Sequence, residues 1–337
     1  LLVFLMCDSI KIKNHLYFGA KNQFMRKKIL KIVIPVVLLF LVFFVIDFVA
    51  RIFLIQKLEE YQRSWWKYCF VMRSNDAHFE DTESEYRNPD VTIGTSKMPP
   101  IVLLGCSFTY GWTLEPNETF SYQLSKYTNR TVYNEGICDG SPATVLYQLN
   151  KPEFVKKLKD ANPDLFIFTY MEDHNRRCFT GTPDFMDNRV VSFYKVQKNG
   201  ELKRVVYNKL QLFWESTNFG KLVSFCMAQH RAKSDDFSTV SAILIEINKK
   251  LKSDFPNAKF VILVFDQSYA PRFYSLDYLE EKMNEIGEKN GIQVLYTKKM
   301  TCGKELLEGK LRSYDNAHPS KEAWAKLIPD ISKELGL

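Results

Sequence analysis

A serine hydroxyl becomes a nucleophile when a base takes its proton, and that base is helped by a partner that fixes its tautomer and stabilises the imidazolium. Ser107, His318 and Asp315 are of the types those three roles need. Ser107 lies in Ile101-Val-Leu-Leu-Gly-Cys-Ser107-Phe-Thr-Tyr-Gly111, bracketed by Gly105 and Gly111. The branched apolar run in front of it is what a strand buried on both faces requires, and Met98-Pro99-Pro100 marks a clean start. The hydroxyl would then project where the chain turns sharply at the carboxyl edge of a parallel sheet, where open α/β sheets place their sites. That stretch alone equally describes a polar turn, because Gly and Ser favour turns. Asp315 and His318 stand three apart in Ser313-Tyr-Asp-Asn-Ala-His-Pro-Ser320, before a proline able to open a helix at its first turn. One short loop would therefore carry both the base and its partner.

Three ordered blocks of the chain resemble those of the SGNH (GDSL-like) hydrolase superfamily. They are Gly105-Cys-Ser107-Phe-Thr-Tyr-Gly111, then Asn134-Glu-Gly136, then Asp315-Asn-Ala-His318-Pro-Ser. The resemblance covers roughly Pro99 to Leu337. It implies a three-layer α/β/α flavodoxin-like fold and serine esterase or acyl-transfer chemistry, with Ser107, Asp315 and His318 catalytic. It also implies an oxyanion hole built from the Ser107 backbone N–H, a backbone N–H at Gly140 or Asp139, and a side chain from the end of the third strand. The chain departs from the family in two places. Cys106 stands where an Asp usually precedes the serine, and Tyr170-Met-Glu-Asp-His174-Asn175 stands where an Asn donor is expected. His174 could replace that donor, or Asn175 could, and a histidine that merely bonds its own loop is an equal reading. Cys106 offers a thiol beside Ser107, but adjacent side chains cannot both face one base.

The elements that must position these residues alternate between strand and helix. After the Ser107 strand the pattern predicts a helix ending near Leu124, a strand at Thr131–Asn134, helical material from about Ala143 to Asp160 and a strand at Leu165–Tyr170. From Cys178 to about Asp236 the rhythm fails. Val190–Val196 and Leu202–Tyr207 read as a hairpin across an Asn-Gly turn, in an insertion expected to cap the sheet edge at about 178–236. Regular alternation returns with a helix at Thr239–Leu251, a strand at Lys259–Phe265, a helix at Leu276–Lys289, a strand at Gln293–Tyr296 and a last helix from Ser320 to Leu335. The prediction is an α/β fold with a parallel sheet of about five strands.

Upstream, Ile32 to Ala50 is apolar for about the length of a bilayer span, interrupted by Pro35 and Asp47. The run is longer than a signal-peptide core and no small-x-small site follows it, so residues 29–55 are expected to be an uncleaved transmembrane anchor. Arg26, Lys27, Lys28 and Lys31 crowd its amino side, which puts residues 1–28 in the cytoplasm and the large domain outside an inner membrane. Met25 before that basic cluster could be the biological start, with 1–24 untranslated. Residues 56–97 read as a connecting region, with a polar surface loop from Asn75 to Lys97, and 98–337 as the catalytic domain.

Composition bounds the rest. A chain of 337 residues that is 46% hydrophobic has room for one large core, and much of its net charge of +7 lies ahead of the apolar segment. No basic run interleaved with aromatics points to nucleic acid. The seven cysteines form no C-x-x-C pair and no zinc spacing, and no Gly-Lys-Ser/Thr cradles a phosphate, so no metal or cofactor is expected. The expected partners are an acyl-ester substrate, on a glycan or a lipid, and the membrane through a single N-terminal helix.

Overall fold

The computed structural model describes residues 33–50, 52, 91–138, 140–179, 193–197, 199–205, 210, 214, 217–235, 237–265, 274–314 and 317–337. The flanks of the apolar segment, most of the connecting region, Asp139 and Asp315 lie outside these residues. The chain divides into two units, Leu1–Arg51 and Ile52–Leu337.

In the first unit the apolar run forms one helix, α1 (Val33–Ala50), with a mean hydropathy of 3.0. Its branched and aromatic side chains are exposed along most of their length, Leu39 at 70% and Phe44 at 67% among them. Length and composition suffice to cross a bilayer, and a signal sequence satisfies the same two criteria.

The second unit is built on a six-stranded sheet. Its strands are β1 (Val91–Thr92), β2 (Ile101–Gly105), β3 (Val132–Gly136), β4 (Leu165–Met171), β7 (Lys259–Phe265) and β8 (Gln293–Tyr296). They lie in the order β1-β3-β2-β4-β7-β8. All are parallel except β1, which pairs antiparallel to β3 and adds an edge strand in the stretch read as a polar loop. Numbered among themselves, the five parallel strands run 2-1-3-4-5, the flavodoxin-like order. Growth of the sheet reverses direction between β2 and β4, so the crevice beyond their carboxyl ends is the switch point.

Side chains alternate across each strand, and this fixes the layers. Val102, Leu104, Phe166, Phe168, Ile262 and Val264 enter one core. Ile101, Leu103, Ile167, Val261 and Leu263 enter the other. The first core is covered by α4 (Pro142–Gln148), α5 (Pro152–Ala161), α8 (Ser238–Asp254) and α9 (Leu276–Asn290). The second is covered by α3 (Phe120–Thr128) and α11 (Lys321–Leu335). A three-layer α/β/α sandwich results.

α11 shows how the pattern works. Ala323, Trp324, Leu327, Ile328 and Ile331 recur at helical spacing and are all buried. The Ser320 hydroxyl caps the first turn by accepting from the Ala323 N–H at 3.2 Å. Trp324 stacks on Phe120 with centroids 4.3 Å apart and meets Phe265 edge-on at 5.3 Å, which fastens the helix to both α3 and the sheet.

Two differences from the sequence pattern have local causes. The helical material expected from 143 to 160 is broken into α4 and α5, because Lys151 precedes Pro152 and takes an extended ψ of 119°. Within the region read as an insertion, the described hairpin packs on the helical layer. Strands β5 (Phe193–Val196) and β6 (Leu202–Val205) pair antiparallel across the Asn199-Gly200 turn. The hairpin buries Tyr194 in the first core and lays Arg204 over the Tyr147 ring at 4.1 Å. The same region holds α7 (Asn218–Ser234), which the sequence reading did not foresee.

Candidate active site

β2 delivers Ser107 to the switch point through an abrupt strand-to-helix turn. Cys106 is extended at φ −102°, and the one-turn helix α2 (Ser107–Tyr110) starts at the next residue and is ended by Gly111 at φ 82°. This turn is possible only with little bulk beneath it. A Cβ on Gly105 would lie 2.3 Å from Thr109 Oγ1, and one on Gly136 would lie 2.3 Å from the Tyr110 nitrogen. The backbone is held as tightly: Gly111 N–H and Trp112 N–H both donate to the Ser107 carbonyl at 3.0 Å.

His318 arrives from the opposite end of the sequence. Its loop is closed by a bridge between Arg312 and Pro319, a Ser313 N–H to His318 carbonyl bond of 2.7 Å and a Ser320 N–H to Leu311 carbonyl bond of 3.0 Å. The imidazole packs edge-on against Phe108, with centroids 5.3 Å apart. His318 Nε2 then lies 2.9 Å from Ser107 Oγ, across 211 positions of sequence. Both residues are buried, at 5% and 7% exposure, so the hydroxyl and its acceptor meet away from bulk water. That distance is one along which a histidine can take a serine proton.

The neighbouring thiol is turned away from this pair. Cys106 is fully buried in the second core, with its sulfur 3.7 Å from Met171 Sδ, while Ser107 faces the histidine. Asp315, expected to orient the imidazole, is outside the described residues, as is Asp139. The second block has a structural role that the sequence alone did not separate from a functional one. Asn134 Oδ1 accepts from Gly136 N–H at 3.1 Å and its amide donates to Ser121 Oγ at 3.3 Å. The buried Glu135 carboxylate pairs with Lys157 at 2.9 Å.

The expected oxyanion donors are less uniform. The Gly140 N–H is engaged by the Ile137 carbonyl at 2.9 Å, closing the turn between β3 and α4. His174 opens the short helix α6 (His174–Arg177) and is fully buried between Phe168 and Tyr170, with its Nδ1 accepting from Met171 N–H at 3.4 Å. That is the loop-bonding arrangement, and it leaves Nε2 as a buried nitrogen with no partner. Burial, and then the nearby Arg177 charge, pushes the imidazole well below its ordinary pKa, so it stays neutral. Asn175 accepts from Tyr170 OH at 2.9 Å through Oδ1, and its amide nitrogen is buried without a partner.

Sequence reasoning passed over the charged residues beside them. Asp173 receives Arg176 Nε and Nη2, both at 2.8 Å, and Arg177 Nε at 2.7 Å. Burial alone would raise the Asp173 carboxyl, but the charges and hydrogen bonds of the two arginines outweigh it and hold the group well below the usual carboxylate range. The only signal in the sequence is an acid followed at i+3 and i+4 by arginines, which is more often a solvated surface pair.

The fold and this pair define a doubly wound, flavodoxin-like α/β chain with a serine and a histidine in contact at its switch point. No family model and no curated protein matches the chain. Among solved structures, it is similar to a psychrotrophic esterase from Pseudoalteromonas sp. inhibited by monoethylphosphonate, at 14% identity and a TM-score of 0.41, over 71% of this chain and 100% of that one. It is also similar to a candidate lipolytic protein of the G-D-S-L family from Desulfitobacterium hafniense, at 14% identity and a TM-score of 0.41, over 70% of this chain and 99% of that one. A third likeness is to an acetyl xylan esterase from Butyrivibrio proteoclasticus, at 14% identity and a TM-score of 0.39, over 70% of this chain and 64% of that one. The second of these is named for the G-D-S-L family. At such identities the functional reading rests on this chain's own residues.

Proposed function

We propose that residues 98–337 form a serine esterase or acyltransferase of the SGNH type, with Ser107 as nucleophile, His318 as general base and Asp315 as the residue that orients the imidazole. The observation that carries the reading is the 2.9 Å contact between Ser107 Oγ and His318 Nε2 at the switch point of the sheet. In the first step His318 takes the hydroxyl proton as Oγ attacks the ester carbonyl. The protonated imidazole then gives that proton to the departing alcohol, leaving an acyl group on Ser107. Water or a second alcohol attacks the acyl-enzyme by the reverse sequence, so hydrolysis and transfer share one intermediate. In this reading the developing oxyanion is met first by the Ser107 N–H, at the start of α2, and then by the Asp139 N–H, because the Ile137, Gly140 and Ser141 N–H groups are already engaged. Each well-placed donor contributes about 3–4 kcal/mol to such steps.

The substrate class in this reading is an O-acyl ester on an envelope glycan or lipid, met outside the cell. α1 would anchor the chain in the inner membrane, and the lysines and arginines ahead of it would keep the amino end in the cytoplasm. Turnover of p-nitrophenyl acetate by the wild-type chain and its loss in Ser107→Ala, with an unchanged circular dichroism spectrum, tests the assignment. Equal turnover by the two proteins would sink it.

A second reading is favoured by the burial of His174 and the engaged Gly140 N–H: an SGNH-like module that binds a glycan or a protein without turning it over. A fluorophosphonate separates the two, because an inert module leaves Ser107 unmodified.

A further inference from the structure

The loop joining β3 to α4 runs along the carboxyl edge directly beside the serine turn. Ile137 N–H donates to the Gly105 carbonyl at 3.0 Å, and a Cβ on Gly140 would come within 3.1 Å of that same oxygen. Its near end is therefore pinned to the residue two before Ser107. Its far end is pinned from another strand: Arg177 Nη1 donates to the Gly140 carbonyl at 3.3 Å, while Arg177 Nε is held by Asp173 Oδ2 at 2.7 Å. Asp173 is held in turn by the Arg176 guanidinium through both carboxylate oxygens. All three side chains are mostly buried, at 14% exposure for Asp173 and Arg177 and 16% for Arg176. An exposed pair contributes little and wanders; a buried guanidinium bound to a carboxylate at one nitrogen and a carbonyl at another is a rigid strut.

From this arrangement we infer that Arg177 is a positioning residue for acyl transfer at Ser107: braced by Asp173, it holds Gly140 against the Gly105 end of the serine turn. The inference rests on the serine reading above and adds a part to it. Arg177 touches neither the hydroxyl nor, in this account, the substrate; it acts through the Gly140 carbonyl. The donors facing the oxyanion must sit within a few tenths of an ångström of their working positions, so a strut of this kind would be felt in the rate of acylation more than in binding.

The test uses the full chain in detergent and compares wild type, Arg177→Met, Arg177→Lys and Asp173→Asn. Readouts are the second-order rate of fluorophosphonate labelling at Ser107 and, for p-nitrophenyl acetate, kcat and KM separately, each scaled to the folded fraction from a thermal melt. The expected result is a labelling rate and kcat lowered about tenfold or more in Arg177→Met, with KM within about twofold, and partial recovery in Arg177→Lys. Should Arg177→Met fail to fold, Asp173→Asn keeps the guanidinium and removes only its brace, and a fall in kcat of several-fold is expected. Labelling and kcat within twofold of wild type in every folded variant would overturn the inference and leave the serine reading standing. A wild-type chain that neither labels nor turns over would overturn both.

Discussion

The two sides of the switch point are built differently. On the side of β2, the serine turn and the His318 loop are held by backbone bonds that close at both ends, and Ser107 Oγ meets His318 Nε2 at 2.9 Å. On the side of β4, α6 carries a fully buried histidine and a fully buried asparagine, each with one nitrogen unpartnered, braced by an ionic cluster. Fully satisfied polar groups fix one geometry, whereas buried unpaired ones hold strain or await a partner. The Ser107–His318 contact is thus set by the fold, and the β4 side is where this chain departs from the pattern its motifs resemble.

The comparison breaks most sharply at the pair itself. Ser107→Ala and His318→Ala are each expected to lower ester turnover by roughly 10⁴-fold, and the double variant no further, because the two act as one unit. Multiplicative losses in p-nitrophenyl acetate assays would show that they do not. A smaller effect is expected one layer beneath. Trp324→Ala removes the ring clamped between Phe120 and Phe265 and should cost about 3–5 kcal/mol of stability. Chemical denaturation would measure it, and the turnover of the remaining folded molecules should fall as the His318 loop loosens.

The other side is probed by acid. His174 is neutral in the fold with its pKa well below the 6.5 of the unfolded chain. Between those two values the unfolded state binds the extra proton, so stability rises with pH through that window and falls as pH drops below 6.5. The slope from this one group is at most about 1.4 kcal/mol per pH unit. Urea midpoints at pH 7.5, 6.5 and 5.5 should decline in wild type and flatten in His174→Gln. Asp173 contributes only lower down: its pKa lies below the unfolded 3.8, so its stabilisation is lost as pH falls beneath that value.

These contrasts also mark what was legible in the sequence. The strands were, because Ile101–Leu104, Leu165–Phe168 and Phe260–Phe265 are unbroken apolar runs that only a doubly covered sheet can bury. Ser107 and His318 were, because each stands in a short motif whose turn residues fix the backbone. The β4 side was not. Whether His174 turns into its own loop or toward the serine depends on tertiary packing by Phe168 and Tyr170, and neighbours in sequence do not encode it. The Arg177 contact to Gly140 spans 37 positions and matches no spacing rule. The two-residue strand β1 was missed because its pairing is decided by the β3 edge, with no apolar run of its own.

The most direct measurement is mass spectrometry of the full chain after treatment with a fluorophosphonate. The account predicts one phosphonylated residue, Ser107, with the adduct absent from Ser107→Ala and formed far more slowly in His318→Ala. An unmodified wild-type chain, or an adduct carried by another residue, would contradict it.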